Sequence, residues 1–110
     1  MPKKRYTIVA HTYDKRGILI SCATNSYEKT HPFQAYLAQK VGHPEQIFAH
    51  AEVLACLRAK DRKIHTLKVW RYNNDGQLVC AKPCPICQEA IQIFGITNIW
   101  YSDHNTMVKL

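Results

Sequence analysis

Two short segments of this chain carry residue types that can do chemistry at close quarters: His50-Ala51-Glu52, and further on Pro83-Cys84-Pro85-Ile86-Cys87. Imidazole and thiolate are the preferred ligands of zinc, so His50, Cys84 and Cys87 form a candidate ligand set. Three protein ligands leave one coordination position open, which is the catalytic pattern; structural sites close with four, and no fourth ligand stands at finger-like spacing. Cys84 and Cys87 are three positions apart, so on the first turn of a helix both sulfurs face one side, and the positive helix end favours their thiolates. Pro83 suits the start of that turn. Glu52 lies two residues beyond His50, which turns it away from the metal and towards a metal-bound water, whose pKa zinc lowers to roughly 7. There it is placed to shuttle a proton.

Each fragment alone says little. A lone Cys-x-x-Cys in a reducing compartment also describes a redox pair or half of a structural zinc site, and His-x-Glu by itself is nearly meaningless. Their combination at two helix starts with a strand between them is what favours a catalytic zinc over a structural one.

The elements that must position these segments can be read from periodicity. Tyr6 to Tyr13 and Gly17 to Ala23 are β-rich runs flanking the turn formers Asp14 and Gly17, so they predict an antiparallel hairpin. After a polar loop, Phe33, Tyr36, Leu37 and Val41 fall at helical spacing, with Pro32 in the first turn and Gly42 as the stop. A second helix is predicted over His50 to Lys60 and a third from Pro83 or Cys84 to Gly95. Between them, Thr66 to Tyr72 predicts a strand ended by Asn73-Asn74-Asp75-Gly76. Its alternation sends Leu67, Val69 and Arg71 to one face and Lys68, Trp70 and Tyr72 to the other. Ile96 to Tyr101 predicts a further strand, and Met107 to Leu110 a short return after the turn at Asp103-His104-Asn105.

Composition bounds what these elements can be part of. The chain has 110 residues, 46% of them apolar, with few Gly or Pro. That predicts one globular domain over residues 1–110 and excludes a fibrous or disordered chain. Five cysteines cannot all pair with one another, so at least one sulfur is free or bound elsewhere. Cys22 and Cys56 are expected in the core and Cys80 in a loop. No run of 18 apolar residues appears, which predicts no membrane span. The basic start is followed by too short an apolar stretch for a signal peptide, so a cytoplasmic home is expected.

The His50-x-Glu52 and Pro83-Cys84-x-x-Cys87 segments, in that order, resemble the signature of the cytidine deaminase superfamily. The resemblance covers roughly Tyr6 to Asp103 and is specific in those two segments. It implies an α/β fold of three layers, α/β/α, with a mixed sheet of four to five strands and the two zinc helices meeting at the metal. It implies Zn2+ as cofactor and Glu52 as the group that delivers protons to the ring nitrogen and the leaving ammonia. Carried over by position, Asn25 is a sugar- or base-contacting residue, the Ala51 N–H a donor to the pyrimidine carbonyl, and the Lys82 carbonyl an acceptor for the amine. A loop-capping role for Asn25 stands beside that reading. Relatives often have Ser, Thr or Glu where this chain has Lys82, and the usual first helix before the hairpin is missing, so Phe33 to Val41 is expected to take over its packing. A short antiparallel return after Tyr101 resembles the enzymes of free nucleosides more than those of nucleotides or nucleic acids.

The formal charge of +7 favours a phosphate-bearing partner without naming one. Arg58, Lys60, Arg62 and Lys63 fall at the far end of the second helix, and Lys15 and Arg16 at the far end of the hairpin. This leaves Lys3, Lys4, Arg5, Lys29, His31, Lys82 and His104 as cations able to approach a substrate phosphate, Lys29 and Lys82 first. Trp100 or Tyr101 is placed to stack on a base, with the other in the core. The expected activity is zinc-dependent hydrolytic deamination of cytosine to uracil in a nucleoside or (deoxy)nucleotide. The alternatives are a nucleic-acid deaminase acting on cytosine or adenine, and a non-catalytic zinc-binding module; monomer and homo-oligomer both stay open.

Overall fold

The computed structural model describes residues 6–44, 46 and 48–110. Strands β1 (Thr7–Tyr13) and β2 (Leu19–Thr24) form the expected hairpin. Asp14 makes its turn: Oδ1 accepts the backbone N–H of Arg16 at 2.8 Å and of Ile18 at 3.0 Å, and Gly17 takes the left-handed φ of 81° that a side chain would resist. Helix α1 (Pro32–Lys40) follows, then α2 (Ala51–Arg58), β3 (Thr66–Tyr72), β4 (Leu78–Val79), α3 (Pro85–Ile93), β5 (Asn98–Asp103) and β6 (Thr106–Lys109). The helices start at Ala51 and Pro85, one residue inside the expected bounds, because His50 and Cys84 serve as their N-caps. None of the helices among the described residues is long and apolar enough to cross a membrane.

The strands lie in the order β2-β1-β3-β5-β6, with β4 paired to the end of β3 at Arg71 and Tyr72. Only β3 and β5 run parallel, joined through α3, and β6 returns antiparallel on β5 as expected. The sheet is mixed, and the α/β class stands. Sequence reading passed over β4, a two-residue strand too short to show alternation.

Strand parity decides where the helices go. Ala10, Ala23, Leu67, Val69 and Ile99 share one face and pack against Ala51, Ala55, Cys56 and Ala59 of α2 and Ile91 of α3. The small side chains of α2 let it lie close on β1 and β2, and Ser21 ties the two layers by donating to the Ala55 carbonyl at 2.7 Å. Each fully buried Leu, Val or Ile on this face stabilises the fold by about 1.5–3 kcal/mol. Helix α1 lies over the outer side of the α2–α3 pair, where Leu37 and Ala38 meet Val53, Ile86, Cys87 and Ala90. The layers are therefore uneven: all three helices stack on one side. The opposite face, carrying His11, Tyr13, Lys68, Trp70 and Trp100, has no helix among the described residues. The same asymmetry corrects the expectation for Cys22, which is exposed on that uncovered face, whereas Cys56 is buried as expected.

Candidate metal centre

Helices α2 and α3 bring their N-termini together, and with them the three expected ligands. His50 Nδ1 lies 3.2 Å from Cys87 Sγ and 3.5 Å from Cys84 Sγ, and the three donor atoms all fall within 4.8 Å of one another. Two ligands of a tetrahedral zinc, with bonds of about 2.0–2.3 Å, stand roughly 3.5–3.8 Å apart, so the donor set fits. Its chemistry fits too, two soft thiols and an imidazole. Among the described residues no fourth His, Cys, Asp or Glu joins the group.

The surroundings act differently on the three groups, favouring the thiolate at Cys84 alone. The Cys87 thiol donates to Cys84 and holds its pKa down at about 4; burial opposes this, and His50 adds to it. Cys87 moves the other way, well above the usual thiol value, because it is the donor in that pair and lies buried beside Glu52. Burial pulls the His50 imidazole down, but the hydrogen bond and charge of Cys84 outweigh it and leave His50 raised. Ligation needs Cys87 as a thiolate and His50 as a neutral imidazole, so a metal would have to displace the protons that their raised values favour.

Glu52 sits one turn-position inside α2, buried, with only 4% of its surface accessible. Burial raises its pKa, and its Oε1 has no hydrogen-bond partner among the described residues. A buried carboxylate oxygen without a partner is costly unless it has work to do beside a metal. Helix α1 supplies a support that sequence reading missed. The fully buried Gln34 accepts the His50 backbone N–H on Oε1 at 3.2 Å and donates Nε2 to the Gln46 carbonyl at 3.2 Å. A polar residue on the buried face of a helix was the available signal.

Beside the donor set opens a cavity of about 390 Å³, lined by Ile8, Asn25, Tyr27, Phe48, His50, Arg71, Lys82 and Cys84 among others. Asn25 and Lys82 are therefore at the site. The Asn25 side chain also clamps the start of β1, accepting from Ile8 N–H at 2.8 Å and donating to the Tyr6 carbonyl at 3.1 Å. One of its amide hydrogens remains for another acceptor. Ala51 is buried as the first residue of α2, a position whose N–H has no acceptor inside the helix.

Other expected residues lie elsewhere. Lys29 is exposed and does not line the cavity, and its backbone carbonyl takes the Ala49 N–H at 2.9 Å. Tyr101 packs against the core beneath α2 and α3. Trp100, its neighbour, points to the helix-free face. The His31 ring caps α1, accepting from Phe33 N–H at 3.0 Å, and His104 occupies the β5–β6 turn with a φ of 56°. Lys3, Lys4 and Arg5 lie outside the described residues. Lys15, Arg16, Arg62 and Lys63 line a separate cavity away from the metal centre, as expected.

Two helix N-termini converging on a His–Cys–Cys set, with a buried glutamate alongside, define a zinc-dependent hydrolytic site. The family model described as "Cytidine and deoxycytidylate deaminase zinc-binding region" matches residues 2–103, and the chain belongs to that family. The domain is a zinc-dependent deaminase. Neither the curated proteins nor the solved structures searched gave a match.

Proposed function

We propose that the chain, as one catalytic domain over residues 1–110, deaminates cytosine to uracil in a free nucleoside or nucleotide. The observation that carries this reading is the buried Glu52 carboxyl, its Oε1 without a partner among the described residues, next to a ligand set whose His50 and Cys84 line a nucleotide-sized cavity. Zinc held by His50, Cys84 and Cys87 supplies a Lewis acid that acidifies water. Glu52 takes the proton released as water attacks C4, gives it to the ring nitrogen, and later passes a proton to the departing ammonia. Water and the amino group exchange, so cytosine and water become uracil and ammonia. Asn25, the Ala51 N–H and the Lys82 carbonyl are the groups proposed to orient the base. Five unpaired cysteines suit a reducing compartment, in keeping with a cytoplasmic enzyme.

A nucleic-acid substrate is the second reading. Tyr27 and Phe48 line the same cavity and are 41% and 44% exposed, a position from which aromatic rings can stack on bases flanking the target. The deciding experiment incubates the zinc-loaded protein with cytidine, deoxycytidine, their monophosphates, adenosine and single-stranded oligomers, and separates products by mass. Uracil formed from free nucleosides or nucleotides supports the first reading. Uracil or hypoxanthine formed only in oligomers overturns it in favour of the second.

A further inference from the structure

One residue before its end, strand β3 brings Arg71 into the lining of the metal-side cavity. Its alternation with Leu67 and Val69 puts this arginine on the helix-covered face, and its partner in register, Ile8, lines the same cavity. Sequence parity already separated Arg71 from Lys68 and Trp70, but not that β3 delivers it to the pocket.

The guanidinium is held in place before any ligand arrives. Its carbon lies 3.9 Å from the centre of the Tyr6 ring, a cation–π contact that fixes it against an aromatic surface. Tyr6 is itself anchored, because its carbonyl accepts from the Asn25 amide at 3.1 Å and from the Tyr27 hydroxyl at 2.9 Å. The Arg71 backbone N–H donates to Ser102 Oγ at 3.1 Å, which pins the strand end. Yet the Nε of Arg71 is buried and has no hydrogen-bond partner among the described residues. Lys82 adds a second cation, and no carboxylate stands among the described residues lining the cavity. A buried donor on a permanent charge is costly until an acceptor meets it. The complementary group is an oxyanion with several acceptor atoms, and a guanidinium fork matches phosphate best.

We propose that Arg71 recognises the phosphate of the substrate, so that the preferred substrate is a cytosine nucleoside monophosphate. This rests on the reading of the cavity as the substrate's seat and deepens it. The antiparallel β6 speaks for a nucleoside by resemblance. Arg71 is the stronger guide, because it lines the cavity, whereas β6 lies at the sheet edge and contributes no lining residue.

The test compares deoxycytidine with deoxycytidine monophosphate on the zinc-loaded wild type, Arg71→Gln and Arg71→Lys. We expect the wild type to prefer the monophosphate. Arg71→Gln should cut its kcat/KM by roughly 10- to 150-fold, the range for hydrogen bonds to a charged group, and leave the nucleoside within about twofold. Arg71→Lys should fall between, since a point charge replaces the fork. Equal losses on both substrates, or a wild type indifferent to the phosphate, would overturn the proposal. Should Arg71→Gln not fold, inorganic phosphate on the wild type decides: competition against the nucleoside supports the phosphate site, and none overturns it. If no free cytosine compound is deaminated, the functional reading falls by itself. The phosphate site is then judged by equilibrium binding of deoxyuridine monophosphate against deoxyuridine, where equal binding would overturn it.

Discussion

Gln34 and His50 share a hydrogen bond that ties helix α1 to the metal centre: the glutamine side chain accepts the histidine's backbone N–H at 3.2 Å. The same amide donates to the Gln46 carbonyl, so one buried side chain fixes both the ligand and the loop leading to it. Replacing Gln34 with Met keeps the volume but strands a donor at His50 and an acceptor at Gln46. We expect a loss of about 1–3 kcal/mol in stability and weaker zinc retention, measured by denaturant unfolding and by metal content after dialysis against a chelator. Full stability with full zinc would show the bond to be incidental.

Glu52→Gln should keep zinc and lose turnover. The amide preserves shape and cannot carry the proton, so kcat is expected to drop by about 10²–10⁴. Metal analysis alongside ammonia release separates the two effects, and unchanged release would remove Glu52 from the mechanism.

Ligand substitutions should act on metal first. Cys84→Ser or Cys87→Ser is expected to lower bound zinc well below one per chain, and a chelator should abolish activity in the wild type until zinc is returned. A variant that retained stoichiometric zinc would exclude the mutated sulfur from the ligand set.

The five thiols should separate by reactivity. Cys22 and Cys80 are exposed, while burial pushes Cys56 up to about 12. At pH 8 a thiol reagent should label Cys22 and Cys80 in the folded zinc protein and reach Cys56 only on unfolding. The sign with pH follows from the raised value. Burial of neutral Cys56 supports the fold below its unfolded value of 9.0, and that contribution fades as pH rises towards about 12. Labelling of Cys56 without unfolding would contradict its buried placement.

The metal centre was legible in the sequence because its signal is local: His50, Cys84 and Cys87 sit at helix starts, where spacing alone fixes direction. The β1–β2 hairpin and the strand Thr66–Tyr72 followed from alternation and from turn chemistry at Asp14 and Asn73, whereas the order of strands in the sheet did not. Contacts between segments distant in the chain were not legible. Gln34 reaches His50 across a loop, Arg71 meets Tyr6 only when β1 and β3 pair, and β4 is too short to show a period. Lys29 is among the cations left once those at the far ends of the second helix and the hairpin are set aside, but the loop leaves its side chain exposed while its carbonyl supports Ala49.

Both tryptophans of the chain, Trp70 and Trp100, stand on the helix-free side of the sheet, and neither lines the metal-side cavity. Intrinsic fluorescence therefore watches the wrong side of the molecule for catalysis. Its emission should follow unfolding, or anything that covers the bare face, and stay nearly silent while substrate enters and leaves, so ligand titrations need another reporter.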